Sequence, residues 1–271
     1  MKSAARPAEP PAGGDVHFLD VGGIDDVGEG TYWLRFEHPP GAACEPGHFF
    51  MISPVEPTGG VFLGRPFSIG DVRDGEWRFL VRALGRGTRW LRGLGPGARL
   101  RLVGPLGRPF APPARTVHRL VAGGIGVAPF FLLARRLHTL RPGERIELWY
   151  GERTAAAHVE LDSEQARLFD VVERFTDDGG RGRLGTVVAG LDGRLAEPGV
   201  AWYACGPHPM LRALAAAMAA AGTEAAQFSL EERMACGFGV CQACVVPRAD
   251  GTGYRLLCTD GPVVDPREVA W

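Results

Sequence analysis

The sequence predicts a multi-domain chain: an N-terminal antiparallel β-barrel, an α/β domain built on a parallel sheet, and a small C-terminal domain organised by cysteines. Three observations predict it. Up to Val103, short strand-like runs are punctuated at close intervals by glycine and proline, the pattern of a small barrel. From Val117 onward, apolar strands alternate with helical runs, the order that produces parallel strands wrapped by helices. Four of the six cysteines then crowd between residues 236 and 258.

The expected division is residues 1–14 as a disordered tail, 15–113 as the barrel, 114–224 as the α/β domain and 225–271 as the cysteine domain. At 271 residues and 45% apolar, the chain is long enough to bury more than one core. A formal net charge of −1 gives no electrostatic reason to expect nucleic acid or an anionic membrane as partner. The 39 glycines and 22 prolines favour turns and short strands over long helices. The opening "MKSAARPAEPPAGG" lacks the apolar core of a signal peptide, and no run is long and apolar enough to cross a bilayer. A cytoplasmic location is therefore expected, where thiols stay reduced.

Within the barrel, "TYWLRFEHP" alternates as a half-buried strand, "GHFFMISP" is a strand running into Pro54, and "EWRFLVRAL" is a further strand. "PFAPPART", from Pro109 to Thr116, reads as a linker. "VHRLVAGG" is a buried strand, followed by a glycine turn and a helix with Pro129 in its first turn. "RIELWYG" is the next strand, "SEQARLFDVVERF" holds helical and strand candidates, and "GVAWYACGP" is another apolar strand. It leads into an alanine-rich helix that Gly222 ends.

Candidate chemistry sits at the ends of these elements. In "GRPFSIGDV", Arg65, Pro66, Phe67 and Ser68 close a barrel strand. An arginine there has the planar fork that matches a diphosphate, and the serine can donate to a heterocycle. Taken alone they read as a surface charge and a turn. "VRALGRGTRWL" passes through Gly85, Gly87 and Thr88 into a helix start, where backbone N–H groups suit an anion. Gly123, Gly124 and Gly126 lie between strand and helix, where a backbone can approach a pyrophosphate closely, although the G-x-G-x-x-G fingerprint is absent. Cys205, Gly206 and Pro207 follow a later strand in the same setting, at the edge where open α/β sheets bind ligands.

The cysteines admit three chemistries: disulfides, a structural zinc, or an iron–sulfur cluster. A reducing compartment argues against disulfides. Zinc sites generally show two C-x-x-C pairs, or one with histidines, whereas here a single C-x-x-C stands with no histidine after His208. The order C-x4-C-x2-C…C of Cys236, Cys241, Cys244 and Cys258 has the spacing of plant-type 2Fe–2S sites. Cys258 comes only fourteen residues after Cys244, so the site is expected on a compact appendage.

Together, "GRPFSI", the Gly87–Thr88 step, "GGIGVAP", "ACGPHPM" and "SLEERMACGFGVCQAC…LLCTDGPVV" resemble the ferredoxin–NADP reductase superfamily. Within it they resemble the electron-transfer subunits of NAD-dependent dihydroorotate dehydrogenase B. The similarity runs from about Val16 to Val264. It implies that Arg65, Pro66, Phe67, Ser68, Val81, Arg82, Ala83, Gly87 and Thr88 touch FAD. It implies that Gly123, Gly124, Gly126, Cys205, Gly206 and Pro207 meet NAD(H), Cys205 lying under the nicotinamide, and that the four C-terminal cysteines ligate a 2Fe–2S cluster. It further implies an FMN-containing catalytic partner in a heterotetramer of two of each subunit, with no general acid or base required on this chain. Two features depart from the pattern, the Pro/Ala tail and Val264, where an aromatic often follows D-G-P-V. Other destinations for the electrons are an oxygenase, hydrogenase or sulfur-reducing partner; a non-enzymatic alternative is a zinc-stabilised scaffold. After the strand ending in "WYG", Glu152 is placed to accept from a ribose hydroxyl and Arg153 to meet a 2′-phosphate, which leaves NAD against NADP open.

Overall fold

The computed structural model describes residues 14–58 and 60–271; the expected disordered tail falls almost wholly outside them. Strand β1 (Asp15–Gly28) is long enough to pair twice. Its first half runs antiparallel to β7 (Arg99–Leu106) and its second half to β2 (Thr31–Glu37). This double pairing curls one seven-stranded sheet into a half-barrel. Its order is β4-β3-β7-β1-β2-β6-β5, completed by β3 (Phe49–Pro54), β4 (Arg65–Ser68), β5 (Asp71–Arg73) and β6 (Glu76–Arg82). Helix α1 (Arg86–Arg92) follows β6 directly.

The expected alternation of β2 gives way to burial of Thr31 through Leu34 on both faces. The reason lies outside the barrel. Trp33 packs edge-on against Phe131 of the next domain, its ring centroid 5.5 Å away, while Tyr32 and Leu34 fill the barrel interior.

The second sheet carries the parallel strands β8 (Val117–Gly123), β9 (Arg145–Glu152), β10 (Val171–Thr176), β11 (Arg183–Leu184) and β12 (Val200–Cys205). Helices α2 (Ala128–Leu140), α3 (Ser163–Ala166), α4 (Val187–Gly190) and α5 (His208–Ala221) connect them. Pro129 stands in the first turn of α2, and Gly222 ends α5 in the left-handed conformation at φ 71°, both as the sequence predicts. Beyond the expected boundary at 224/225, Ala226–Ser229 forms β13, which extends this sheet in parallel with β12. The order β11-β10-β9-β8-β12-β13-β16 reverses direction between β8 and β12, the topological switch point at which such sheets bind ligands.

The last segment holds a hairpin of β14 (Val245–Pro247) and β15 (Tyr254–Leu256), the short helix α6 (Leu257–Asp260) and β16 (Val263–Val264). The last strand returns to pair antiparallel with β13. The Pro109–Thr116 connection has no regular structure but is held: Gln227 accepts from the Ala111 N–H and donates to its carbonyl, both at 2.8 Å.

Candidate electron-transfer site

A cavity of about 190 Å3 opens between the barrel and the parallel sheet. Pro66, Phe67 and Ser68 of β4, with Val81 and Arg82 of β6, form one wall. Ile125 and Ala128, from the glycine turn and the start of α2, form another. Arg65 lies just outside, against α1. A Cβ on Gly87 would stand 2.1 Å from the Arg65 Nε, so only glycine lets the guanidinium lie there. Arg65 donates to the Leu63 carbonyl, and among the described residues no carboxylate pairs with it. Thr88 and Ala83 serve local structure. The Thr88 hydroxyl accepts from the N–H groups of Leu84 and Gly85 at 3.0 and 3.1 Å, and Ala83 donates to the Gly30 carbonyl at 2.8 Å. An apolar slot with polar atoms at its rim, ending at an unpaired guanidinium, fits a flavin ring whose diphosphate runs toward Arg65.

The two glycine-bearing turns meet at the switch point. A Cβ on Gly126 would stand 2.3 Å from the Cys205 carbonyl oxygen, and one on Gly206 would stand 3.0 Å from the Gly123 backbone. The Gly123–Gly126 turn and the Cys205–Pro207 turn therefore pack backbone to backbone at the switch-point crevice, next to the cavity that Ile125 lines. Their position at the ends of β8 and β12 suits a dinucleotide. The Cys205 thiol is buried, and burial, reinforced by the nearby Glu231 carboxylate, holds it well above the usual thiol range.

Glu152 is not free to meet a ribose hydroxyl. It is buried, accepting from Arg82 at 2.5 Å and from the Tyr150 hydroxyl at 2.9 Å. The carboxylate offered to a ribose instead ties the barrel to the parallel sheet.

The four C-terminal thiols are linked through backbone donors, the Cys241 N–H reaching the Cys236 sulfur and the Cys258 N–H the Cys244 sulfur. Among the described residues no three Cys, His, Asp or Glu side chains converge as a single metal ion would require. The C-x4-C-x2-C…C order is that of a binuclear iron–sulfur site rather than of a tetrahedral zinc site. Backbone N–H groups already point at the sulfurs: Gly239 donates to Cys258 at 3.1 Å, Cys258 to Cys244 at 3.4 Å, and Phe238 and Cys241 to Cys236 at 3.5 Å. Burial pushes the Cys236 thiol up, but these donors outweigh it and bring it down to about 6. The donor set fits thiolate ligation of iron.

Leu230, Glu231, Glu232, Met234 and Pro262 complete the cavity wall; they lie inside the quoted "SLEERMACGFGVCQAC…LLCTDGPVV", but the motif reading assigned them no role beside the flavin. The available signal was the short apolar run "AQFSL" after Gly222, a further strand whose end lies at the same sheet edge as the glycine turns. Glu231 lines the cavity with its surface open to that space, and desolvation within the cleft raises its carboxyl above the ordinary carboxylate range.

Residues 231–270 match the family described as the iron–sulfur cluster binding domain of dihydroorotate dehydrogenase B. The chain is 36% identical over 230 residues to the "Dihydroorotate dehydrogenase B (NAD(+)), electron transfer subunit homolog" of Aquifex aeolicus, covering 83% of this chain and 86% of that protein. It is 38% identical over 232 residues to the electron transfer subunit of Bacillus caldolyticus, with the same coverage. The solved NADH-dependent reduced ferredoxin–NADP oxidoreductase, described in connection with flavin-based electron bifurcation, superposes with a TM-score of 0.81 at 25% identity, covering 93% of this chain and 90% of that one. Barrel, switch-point crevice and cysteine segment define an oxidoreductase component of the ferredoxin–NADP reductase type with an iron–sulfur domain. Within that class, the chain belongs to the family of dihydroorotate dehydrogenase B (NAD(+)) electron transfer subunits.

Proposed function

We propose that this chain passes electrons between a catalytic dihydroorotate dehydrogenase subunit and NAD, through a 2Fe–2S cluster and FAD, in the oxidation of dihydroorotate to orotate. The observation that carries the proposal is a single segment. Leu230, Glu231, Glu232 and Met234 wall the cavity, and Cys236 stands two residues further on. The flavin cavity and the cluster ligands are therefore built on one short stretch of backbone.

When bound, FAD accepts or gives electrons in pairs or singly and so matches the hydride of a nicotinamide to a one-electron centre. The protein's own contribution is placement. Pro66, Phe67 and Val81 exclude water from the cavity, Ser68 offers a donor at its rim, and Arg65 with Gly87 receives the diphosphate. Gly123, Gly124 and Gly126 admit the dinucleotide backbone, and Cys205–Gly206–Pro207 floors the nicotinamide end. Cys236, Cys241, Cys244 and Cys258 would hold the irons, and the N–H donors on their sulfurs would favour the reduced state.

The catalytic subunit is proposed to carry FMN and to assemble two-by-two with this chain in the cytoplasm; no helix among the described residues is long and apolar enough to cross a membrane. Exposed Phe238, Val240, Val245 and Tyr254 surround the cluster loop and offer the apolar core of a docking face for that subunit. We propose the division into a tail (1–14), an FAD barrel (15–113), an NAD domain (114–224) and an iron–sulfur domain (225–271), with β13 as the strand that joins the last to the sheet.

Anaerobically prepared chain is expected to hold one flavin and two irons with two acid-labile sulfides. Cys241→Ser is expected to leave NADH reduction of the flavin intact and to abolish transfer to the partner. Loss of neither activity refutes the electron path, and a protein carrying one zinc without flavin supports the scaffold instead.

A further inference from the structure

Between the flavin cavity and the cluster ligands stands a cation that none of the motifs includes. Arg108 follows β7 at the barrel's end. Its backbone N–H donates to the Gly261 carbonyl at 2.5 Å, and it forms a bridge with Pro262, a wall residue of the cavity. These backbone contacts dock the last segment on the barrel whatever side chain residue 108 carries. The side chain does something separate. Its Nε donates to the Thr259 carbonyl at 3.3 Å, and Thr259 directly follows the ligand Cys258. Arg108 is half-buried, and among the described residues no carboxylate lies within 4 Å of it. By contrast Arg255, the other guanidinium at this helix, is paired with Glu268 at 2.9 Å.

An unpaired guanidinium at the carboxyl end of a ligand-bearing helix has two physical effects. It fixes the Thr259 carbonyl, and with it the backbone that carries Cys258. It also brings a positive charge to the backbone one residue from the ligand Cys258, and local charge is one of the levers that set the potential of a centre that becomes more negative on reduction. We infer that Arg108 is a positioning residue that raises the electron affinity of the cluster held by Cys258, so that electrons leaving the partner settle on the cluster before passing to the flavin. The inference rests on the cluster assignment above.

The test is a redox titration of the full-length chain, followed by the electron paramagnetic resonance signal of the reduced cluster, for wild type, Arg108→Gln and Arg108→Lys. Arg108→Gln is expected to shift the cluster's reduction equilibrium about tenfold toward the oxidised form, ~59 mV for one electron. Arg108→Lys, which keeps the charge, is expected to recover most of that shift. The flavin's NADH reduction rate is expected to stay near wild type in both. Coincident cluster titrations for wild type and Arg108→Gln overturn the inference, as do equal shifts in the two variants. If Arg108→Gln loses the cluster, an Arg108→Lys protein with the wild-type midpoint supports the charge, and one that also loses the cluster overturns it. A wild-type chain with no such signal and no acid-labile sulfide removes the cluster assignment itself, and the inference with it.

Discussion

His48 shows how one side chain can set the acid limit of the barrel. It sits at the start of β3 in a turn, and its Nδ1 accepts the Glu45 N–H at 3.0 Å. Burial pushes the imidazole down to about 4, against about 6.5 in an unfolded chain. Above pH 6.5 both states are neutral and the full stability is present. As the pH falls from 6.5 toward 4, the unfolded state takes up a proton that the folded state refuses, so stability is lost across that window. The shift bounds the loss at about 3 kcal/mol. His48→Gln keeps an acceptor and has no proton to gain, so denaturant melts of the two proteins are expected to converge near pH 7 and to diverge toward pH 4, with wild type the weaker. Parallel curves would mean that the turn does not hold His48 neutral.

The strand–turn–helix junctions were the most legible elements, because each follows from local chemistry. Pro129 opens α2, Gly222 closes α5, and the glycines of "GGIG" stand where the structure needs them. What stayed hidden was non-local. Nothing in "TYWLRF" announces that Phe131 of another domain buries Trp33, and nothing near "LWYGE" shows that Glu152 turns away from solvent to meet Arg82. The spacing of the cysteines suggested a binuclear site, but the backbone N–H groups that point at their sulfurs are a property of the folded loop. Gly126 tests the junction directly. A Val there drives its Cβ onto the Cys205 carbonyl oxygen and pries the two turns apart, while the flavin wall on β4 and β6 stays in place. Gly126→Val is expected to retain flavin and to weaken NADH binding at least tenfold, about 1.4 kcal/mol, as read from flavin bleaching against NADH concentration. Unchanged NADH dependence would place the dinucleotide elsewhere.

At the scale of the whole molecule, transfer between two cofactors requires the barrel and the parallel sheet to keep one relative placement, and the Arg82–Glu152 pair spans that boundary. Arg82 leaves β6 from the flavin wall, binds Thr31 Oγ1 at 3.0 Å and the Ala157 carbonyl at 3.0 Å, and meets Glu152 at the end of β9. Glu152 is almost wholly buried, and the Tyr150 hydroxyl satisfies it from within its own domain. Removing one member of such a pair leaves an uncompensated charge away from water, a change that costs about 3–5 kcal/mol, whereas replacing both with apolar groups is often nearly neutral. Glu152→Leu is therefore expected to lower the urea stability of the interface by about that amount and to slow reduction of the flavin by NADH. Arg82→Met combined with Glu152→Leu is expected to recover much of the stability, because no lone charge remains, but not the rate, because the two domains are no longer held in register. If the double variant instead loses the sum of the two single losses, the residues do not act as a pair, and the placement of the domains must rest on the apolar contact of Trp33 with Phe131 and on the strap at Gln227.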